Sequence, residues 1–240
     1  MPDLKFQDHT VIVAGAGGNL GSSVATLFLK TGANLILVDY SEEKLQRLFP
    51  ELIESDQHII FQGVDINNSS SINAVINRTM SKFGQIDVLV NSIGGYEGGF
   101  PIQETSDEIW DMLFNLNARA VFNLARVVTP IMKEAQSGKI INISARLGLK
   151  GTANQAVYSA AKSAVIRLTE AMAQELKNDD INVNCILPGT IDTPQNRASM
   201  PNADYSRWIT PDAIAEVVLF LASDAARAIT GASIPVYGKS

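Results

Sequence analysis

Cysteine is nearly missing from the 240 residues: Cys185 stands alone. A single thiol closes no internal disulfide, and inside the apolar run 182–187 it reads as a buried core thiol rather than a nucleophile. Histidine is almost as scarce, with only His9 and His58, so no metal centre is expected. Basic charge is in deficit: 19 Lys and Arg face 25 Asp and Glu, for a net charge of −6. No basic cluster is present to neutralise phosphates, which argues against a nucleic-acid partner. No apolar run approaches the ~20 residues that span a bilayer, so no membrane partner is expected. The segment Met1-Pro2-Asp3-Leu4-Lys5 has no signal-peptide core. A reducing, cytoplasmic location follows. Linkers, repeats and low-complexity stretches are also lacking, which leaves 1–240 as one domain.

What is present is apolar residue in quantity, 46% against 18% charged, enough for a large core. Short apolar runs alternate with helical patterns along the chain. Strands are expected at 11–14, 35–39, 59–62, 87–91, 139–144, 183–187 and 233–236. Helices are expected at 21–30, 42–49, 70–83 and 107–134, the last with a break around Pro130, and around residues 158–162. Thr210 reads as the cap of a further helix with Pro211 at its first position. Pro235 cannot donate to a ladder, which suits an edge strand. This alternation predicts an α/β protein: a single doubly wound Rossmann-type domain, about seven parallel strands with helices on both faces. Ligands in such sheets sit beyond the carboxyl ends of the strands.

Two constellations lie at those ends. The first strand runs into Gly15-Ala16-Gly17-Gly18-Asn19-Leu20-Gly21, a turn whose backbone N–H groups can approach a pyrophosphate. Asp39 follows Gly21 by 18 residues, at the end of the second strand. Its carboxylate can accept from ribose hydroxyls and would repel a 2′-phosphate, which favours NAD over NADP. The other reading of Asp39 is a helix-capping acid. The second constellation is Tyr158 and Lys162, four apart and so on one helical face. A neighbouring ammonium favours the phenolate and brings a phenol toward acid–base work. The same spacing also occurs on plain solvated helix faces.

Taken together, these motifs resemble the short-chain dehydrogenase/reductase family over nearly the whole chain. The Gly-rich turn looks like its cofactor loop, with Asn19 at the usual middle glycine. Asp65, followed by Ile66, matches the acid that faces adenine. Asn91-Ser92-Ile93-Gly94 is similar to the family's Asn-Asn-Ala-Gly segment. Asn117 falls where the family has its helix asparagine. Pro188-Gly189, with Ile191 and Thr193, looks like the nicotinamide-side segment. The resemblance implies hydride transfer at nicotinamide C4. Tyr158 would then be the proton donor, Lys162 its ribose-binding partner, and Asn117 a support for a water-linked proton path.

One position departs. The family's catalytic serine lies thirteen residues before the tyrosine, and here that residue is Ala145. Ser144 is adjacent, but neighbouring strand side chains point to opposite faces. Dihydropteridine reductases, within this family, also carry alanine there. Their loops are similar to residues 190–208 here, a predicted substrate lid, and to Gly94-Gly95-Tyr96-Glu97-Gly98-Gly99. Tyr96 is either an aromatic that stacks on a planar substrate or a surface ring between glycines. Asn117 and the tail Phe220-Leu221-Ala222-Ser223-Asp224 instead look like ordinary members such as 3-oxoacyl-carrier-protein reductases. Three functions stay open: an NADH-linked reductase of a small carbonyl-type or pre-activated planar substrate, a 3-oxoacyl-carrier-protein or general carbonyl reductase, and a non-catalytic NAD-binding sensor or scaffold. The small and apolar residues of the 107–134 and Tyr158 helices imply, by the same resemblance, a homo-oligomer, dimer or tetramer.

Overall fold

A computed structural model describes residues 4–239, with only the backbone of Glu42. Met1, Pro2 and Asp3, part of the segment read above for a leader, lie outside the described residues, as does Ser240.

Among the described residues, seven strands form one parallel sheet in the order β3-β2-β1-β4-β5-β6-β7. They are β1 Thr10–Ala14, β2 Asn34–Val38, β3 Ile59–Phe61, β4 Val88–Asn91, β5 Gly138–Ile143, β6 Ile181–Pro188 and β7 Ser233–Val236. Helices α1 Asn19–Leu29, α2 Glu42–Leu48, α3 Ser69–Phe83, α4 Asp107–Phe114, α5 Ala120–Ala135, α6 Ala156–Leu176, α7 Pro194–Ser199 and α8 Pro211–Ala222 connect or follow them. The predicted fold class and the edge position of β7 are as expected. Strand order reverses between β1 and β4, which opens a crevice at their carboxyl ends.

Strand alternation sends side chains to two faces. Val11 and Val13 join a core with α1, α2 and α8, where Phe28 is fully buried. Ile12 and Ala14 join the opposite core with α3, α5 and α6. Truncating Phe28 to Ala would cost roughly 3–5 kcal/mol. The strands are apolar on both sides because both faces are covered.

The helix read over 107–134 is interrupted, but not at Pro130. The irregularity is a π-helical turn at Asn115–Arg119, between α4 and α5. Pro130 sits inside α5 on an exposed face. Its missing N–H orphans the carbonyl of Arg126, also exposed, where water can take the bond. The π turn instead falls at Asn117, and such turns gather at functional sites. Most other boundaries move by a residue or two, and two of these shifts touch the crevice. The first helix begins at Asn19 rather than Gly21, so Asn19 and Leu20 belong to its first turn. Asp39 lies one residue past β2.

The segment 190–208, expected as a long loop, carries structure of its own. Ile191 pairs with Ile209 in a parallel bridge. Thr193 caps α7 by accepting from the N–H of Asn196. Arg197 clamps Asp192 with two bonds of 2.6 and 2.7 Å and lies over the Tyr205 ring. Among the described residues no helix is long and apolar enough to cross a membrane, and no group of metal-ligating side chains occurs.

Candidate active site

The crevice is built first by backbone. Gly15 has φ +83°, and a Cβ there would lie 2.9 Å from the N of Ile93. A Cβ on Gly21 would lie 2.0 Å from the Gly15 carbonyl oxygen, inside any tolerable contact. These two positions need glycine because the turn folds back on itself and presses against the β4 end. Ser92 fastens that end by donating from both its N–H and its hydroxyl to the Ala14 carbonyl. Gly18 caps α1 without a side chain, and its N–H donates to Gly15. Asn19 needs no such tightness; its amide donates to Gln195 of α7 at 2.8 Å. The Gly-rich turn and the 190–208 segment are thereby joined across the crevice.

Both carboxylate oxygens of Asp39 accept from backbone N–H groups. One oxygen accepts from the N–H of Gly17 at 2.8 Å, the other from the N–H of Ser41, the residue that precedes α2. A Cβ on Gly17 would also meet Lys44, a cation on α2 that the residues directly after Asp39 do not reveal. Asp65 is exposed beyond β3, where its side chain accepts from Asn67. The carbonyl of Ile66 accepts from the buried amide of Asn123 on α5. Val64 donates to the Asp39 carbonyl, which keeps this corner together.

Deeper in, Asn117, Gly94 and Lys162 converge. A Cβ on Gly94 would lie 3.1 Å from Asn117 Oδ1 and 3.2 Å from Lys162 Nζ. Asn117 donates to the carbonyls of Gly95 and Leu113. Lys162 is 5% exposed and donates to the Ile143 carbonyl at 3.0 Å. Burial pushes its pKa down to about 8. Both polar atoms of the Asn91 side chain are buried with no partner among the described residues. Pro188 ends β6, and the N–H of Gly189 donates to Val236.

Tyr158 stands near Lys162, whose Nζ is 6.0 Å from the phenol ring centre. The expected lowering of the Tyr158 pKa is not what this arrangement gives. Burial, assisted by the neighbouring Tyr96, pushes it up to about 12. At that separation the ammonium does not offset the lost hydration, and its proton is turned toward Ile143. Tyr158 is therefore an acid in its protonated form at neutral pH. Tyr96 meets it edge to face, with ring centres 5.0 Å apart.

Ala145 follows β5 in extended conformation, and its carbonyl accepts from Gly148. Ser144 points away: its hydroxyl is buried and donates to the Lys162 carbonyl at 2.8 Å. It offers nothing to the crevice. A residue the sequence reading passed over is Gln155, whose amide donates to the Tyr96 hydroxyl at 2.8 Å. Its signal was its place three residues before Tyr158, nearly one helical turn.

The residues fit a nicotinamide dinucleotide. The turn at Gly15 and Gly21 leaves a cradle that a Cβ would fill, and Asn91 and Lys162 bring polar groups to the crevice floor. A family model described as short chain dehydrogenase matches residues 9–204. The chain belongs to the short-chain dehydrogenase family. It is 30% identical to the 3-oxoacyl-[acyl-carrier-protein] reductase FabG of Thermotoga maritima, over 98% of each chain. Among solved structures it resembles levodione reductase, with TM-score 0.89, 30% identity and 98% coverage of both chains. It also resembles ElxO with NADP bound, with TM-score 0.88 and 27% identity, covering 96% and 97% of the two chains. As a short-chain dehydrogenase the chain is an oxidoreductase of the NAD(P)-binding kind. Its relatives differ in substrate by name, so membership fixes the reaction class and leaves the substrate to this chain's own loops.

Proposed function

We propose that this short-chain dehydrogenase is a carbonyl reductase for a small, planar or pre-activated substrate, with Tyr158 as the proton donor. The observation that carries the reading is the convergence of Tyr158, Lys162 and Asn117 in one buried corner while alanine occupies position 145. A pure binder or sensor needs no such proton path. When bound, the nicotinamide dinucleotide supplies the hydride that reaches the substrate carbon. Tyr158 gives its proton to the substrate oxygen or the equivalent heteroatom, which for a ketone turns C=O into CH–OH, and is left as a phenolate. Lys162, 6.0 Å from the phenol ring centre and bonded to the Ile143 carbonyl, would resupply that phenolate through water rather than directly. Asn117 orients the solvent path that refills Lys162.

Gly15, Gly18, Asn19, Leu20 and Gly21 would hold the pyrophosphate end. Asp39 would hold the adenosine ribose, and Asp65 and Ile66 the adenine. Asn91, Ser92, Ile93 and Gly94 would line the middle, with Pro188, Gly189, Ile191 and Thr193 on the nicotinamide side. Asp39 supports NAD as the preferred cofactor, since a 2′-phosphate would meet its carboxylate. Lys44 is the residue that would soften this preference. Titration with NADH and NADPH decides it: tighter NADPH binding overturns the assignment.

Ala145 supports an electrophilic substrate, because a missing oxyanion donor costs ~10²–10³ in rate on an ordinary ketone. A quinonoid dihydropterin is the model for such a substrate. The likeness to the Thermotoga reductase supports a second reading, reduction of a 3-oxoacyl thioester. NADH oxidation with quinonoid dihydropterin, acetoacetyl thioester and simple diketones in parallel separates the two. No turnover with any of them, alongside micromolar cofactor binding, would instead favour a sensor.

Trp110, Met112 and Phe122 leave large apolar surface exposed on α4 and α5. That supports a homo-oligomer, as does the family. A monomer at micromolar concentration by light scattering contradicts it. The lone buried thiol of Cys185 supports a reducing, cytoplasmic setting.

A further inference from the structure

We infer that Tyr96 supplies the second hydroxyl at the reacting oxygen, taking the place left open by Ala145, and that Gln155 positions it. The inference rests on the carbonyl-reductase reading and adds a catalytic residue to it; with a second donor in place, Ala145 no longer requires a pre-activated substrate.

Three features of the site lead there. First, the side chains near the Tyr158 phenol offer few alternative donors. Ala145 carries none, and the Ser144 hydroxyl is spent on the Lys162 carbonyl. Second, Tyr96 is held rather than loose. Its hydroxyl accepts from Gln155 Nε2 at 2.8 Å, and its ring abuts Tyr158 at 5.0 Å and 83°. The loop that carries it is tied down where Gly99 donates to the Asn154 carbonyl, next to Gln155. Third, the bond from Gln155 uses the Tyr96 oxygen as acceptor. The phenolic proton of Tyr96 is left to donate elsewhere. Tyr96 is 59% exposed, so a substrate reaches it without unfolding the loop.

Gln155 and Tyr158 also line one narrow cleft together with Gly98, Phe100 and Leu113, and Tyr96 adjoins it through its contacts with both. A carbonyl oxygen in contact with Tyr158 at the mouth of that cleft would meet two phenols, one giving up its proton and one only sharing it. The Tyr96 bond strengthens as negative charge develops on the oxygen and forms no covalent link. That is the work a serine hydroxyl does in such a site, performed here from the loop after β4. The ring-stacking role considered for Tyr96 is different: it uses the face of the ring, whereas this one needs only the hydroxyl.

Tyr96→Phe keeps the ring and removes the hydroxyl. It should lower kcat by about tenfold to a hundredfold, the lower part of the range for an oxyanion donor because Tyr96 is exposed, with KM and the NADH Kd nearly unchanged. Adding Ala145→Ser to Tyr96→Phe should restore most of the lost kcat, since the new hydroxyl supplies the same bond. Gln155→Leu should lower kcat by a smaller factor and have no further effect on Tyr96→Phe. Unchanged kcat in Tyr96→Phe overturns the inference, as does a loss confined to KM, which would mark stacking. Failure of Ala145→Ser to restore rate in a folded double variant also counts against it.

Spectroscopic titration of Tyr158 probes the same contact without turnover. Removing the neighbouring phenol should lower its pKa, and an unchanged titration overturns the proximity on which the inference stands. If the native protein reduces none of the test carbonyls, the carbonyl-reductase reading fails, and that titration still decides whether the two phenols interact.

Discussion

Two glycine-rich segments leave the adjacent strands β1 and β4, and they use glycine for opposite reasons. In the turn after β1, a side chain on Gly15 or Gly21 would strike backbone, at 2.9 and 2.0 Å. In the loop after β4, a side chain on Gly98 would strike the Gln155 amide at 2.3 Å, and one on Gly95 the Leu116 side chain at 2.7 Å. Backbone cannot step aside, whereas an amide at the end of a flexible side chain can. The first segment is therefore fixed by the fold and suits a constant partner, the cofactor. The second is shaped by replaceable side chains and suits whatever substrate this member takes. The chain keeps the family pattern in the first except at Asn19, which tolerates a side chain and reaches Gln195. The other departure named from the sequence is Ala145, beside the proposed substrate position.

The sharpest test acts between the two segments. Tyr158→Phe should reduce kcat by ~10²–10⁴ and leave NADH affinity unchanged. Retained kcat would move the chemistry to another residue. The contrast between the segments is tested by a matched pair. Gly21→Ala should weaken NADH binding by about a hundredfold or more, because the turn must open. Gly98→Ala should leave NADH affinity alone and change substrate kinetics only a few-fold, as Gln155 rotates away. Equal effects on cofactor affinity, read by fluorescence titration, would erase the distinction.

A smaller effect concerns stability. The folded pKa of Lys162 is lowered from the usual 10.5 to about 8. Below about pH 8 the folded protein holds a buried ammonium at full cost. Between about 8 and 10.5 the folded state sheds that proton first, so stability rises with pH across this window. Lys162→Met removes the buried charge and should raise the cofactor-free stability at pH 7 by up to roughly 3 kcal/mol. That corresponds to a Tm higher by about 5 °C or more, at the expense of activity. It should also flatten the alkaline rise of Tm. A lower Tm at pH 7 would show that the bond to the Ile143 carbonyl outweighs desolvation.

Much of this site was legible in the sequence because its signals are local. Gly15 and Gly21 lie between a strand and a helix, and Tyr158 and Lys162 are four apart on one helix. Asn117 could be placed by spacing, but not the π turn that presents it, since the pattern over 107–134 is helical throughout and Pro130 is the more conspicuous breaker. The direction of the Tyr158 shift was illegible for another reason. The attraction of Lys162 can be read from spacing, whereas burial under Tyr96 depends on a loop more than sixty residues away in sequence. The Gln155–Tyr96 and Asn19–Gln195 bonds are equally long-range.

The sequence by itself determined the parallel α/β fold and its single domain, and singled out the glycine turn and Tyr158 as the candidate acid, because periodicity and spacing act within one or two elements. Only the tertiary structure decided the state of that acid and its company. Desolvation and hydrogen bonding depend on which distant segments meet at the ends of the strands. There the fold spends the Ser144 hydroxyl on the Lys162 carbonyl and sets the Tyr96 ring against Tyr158.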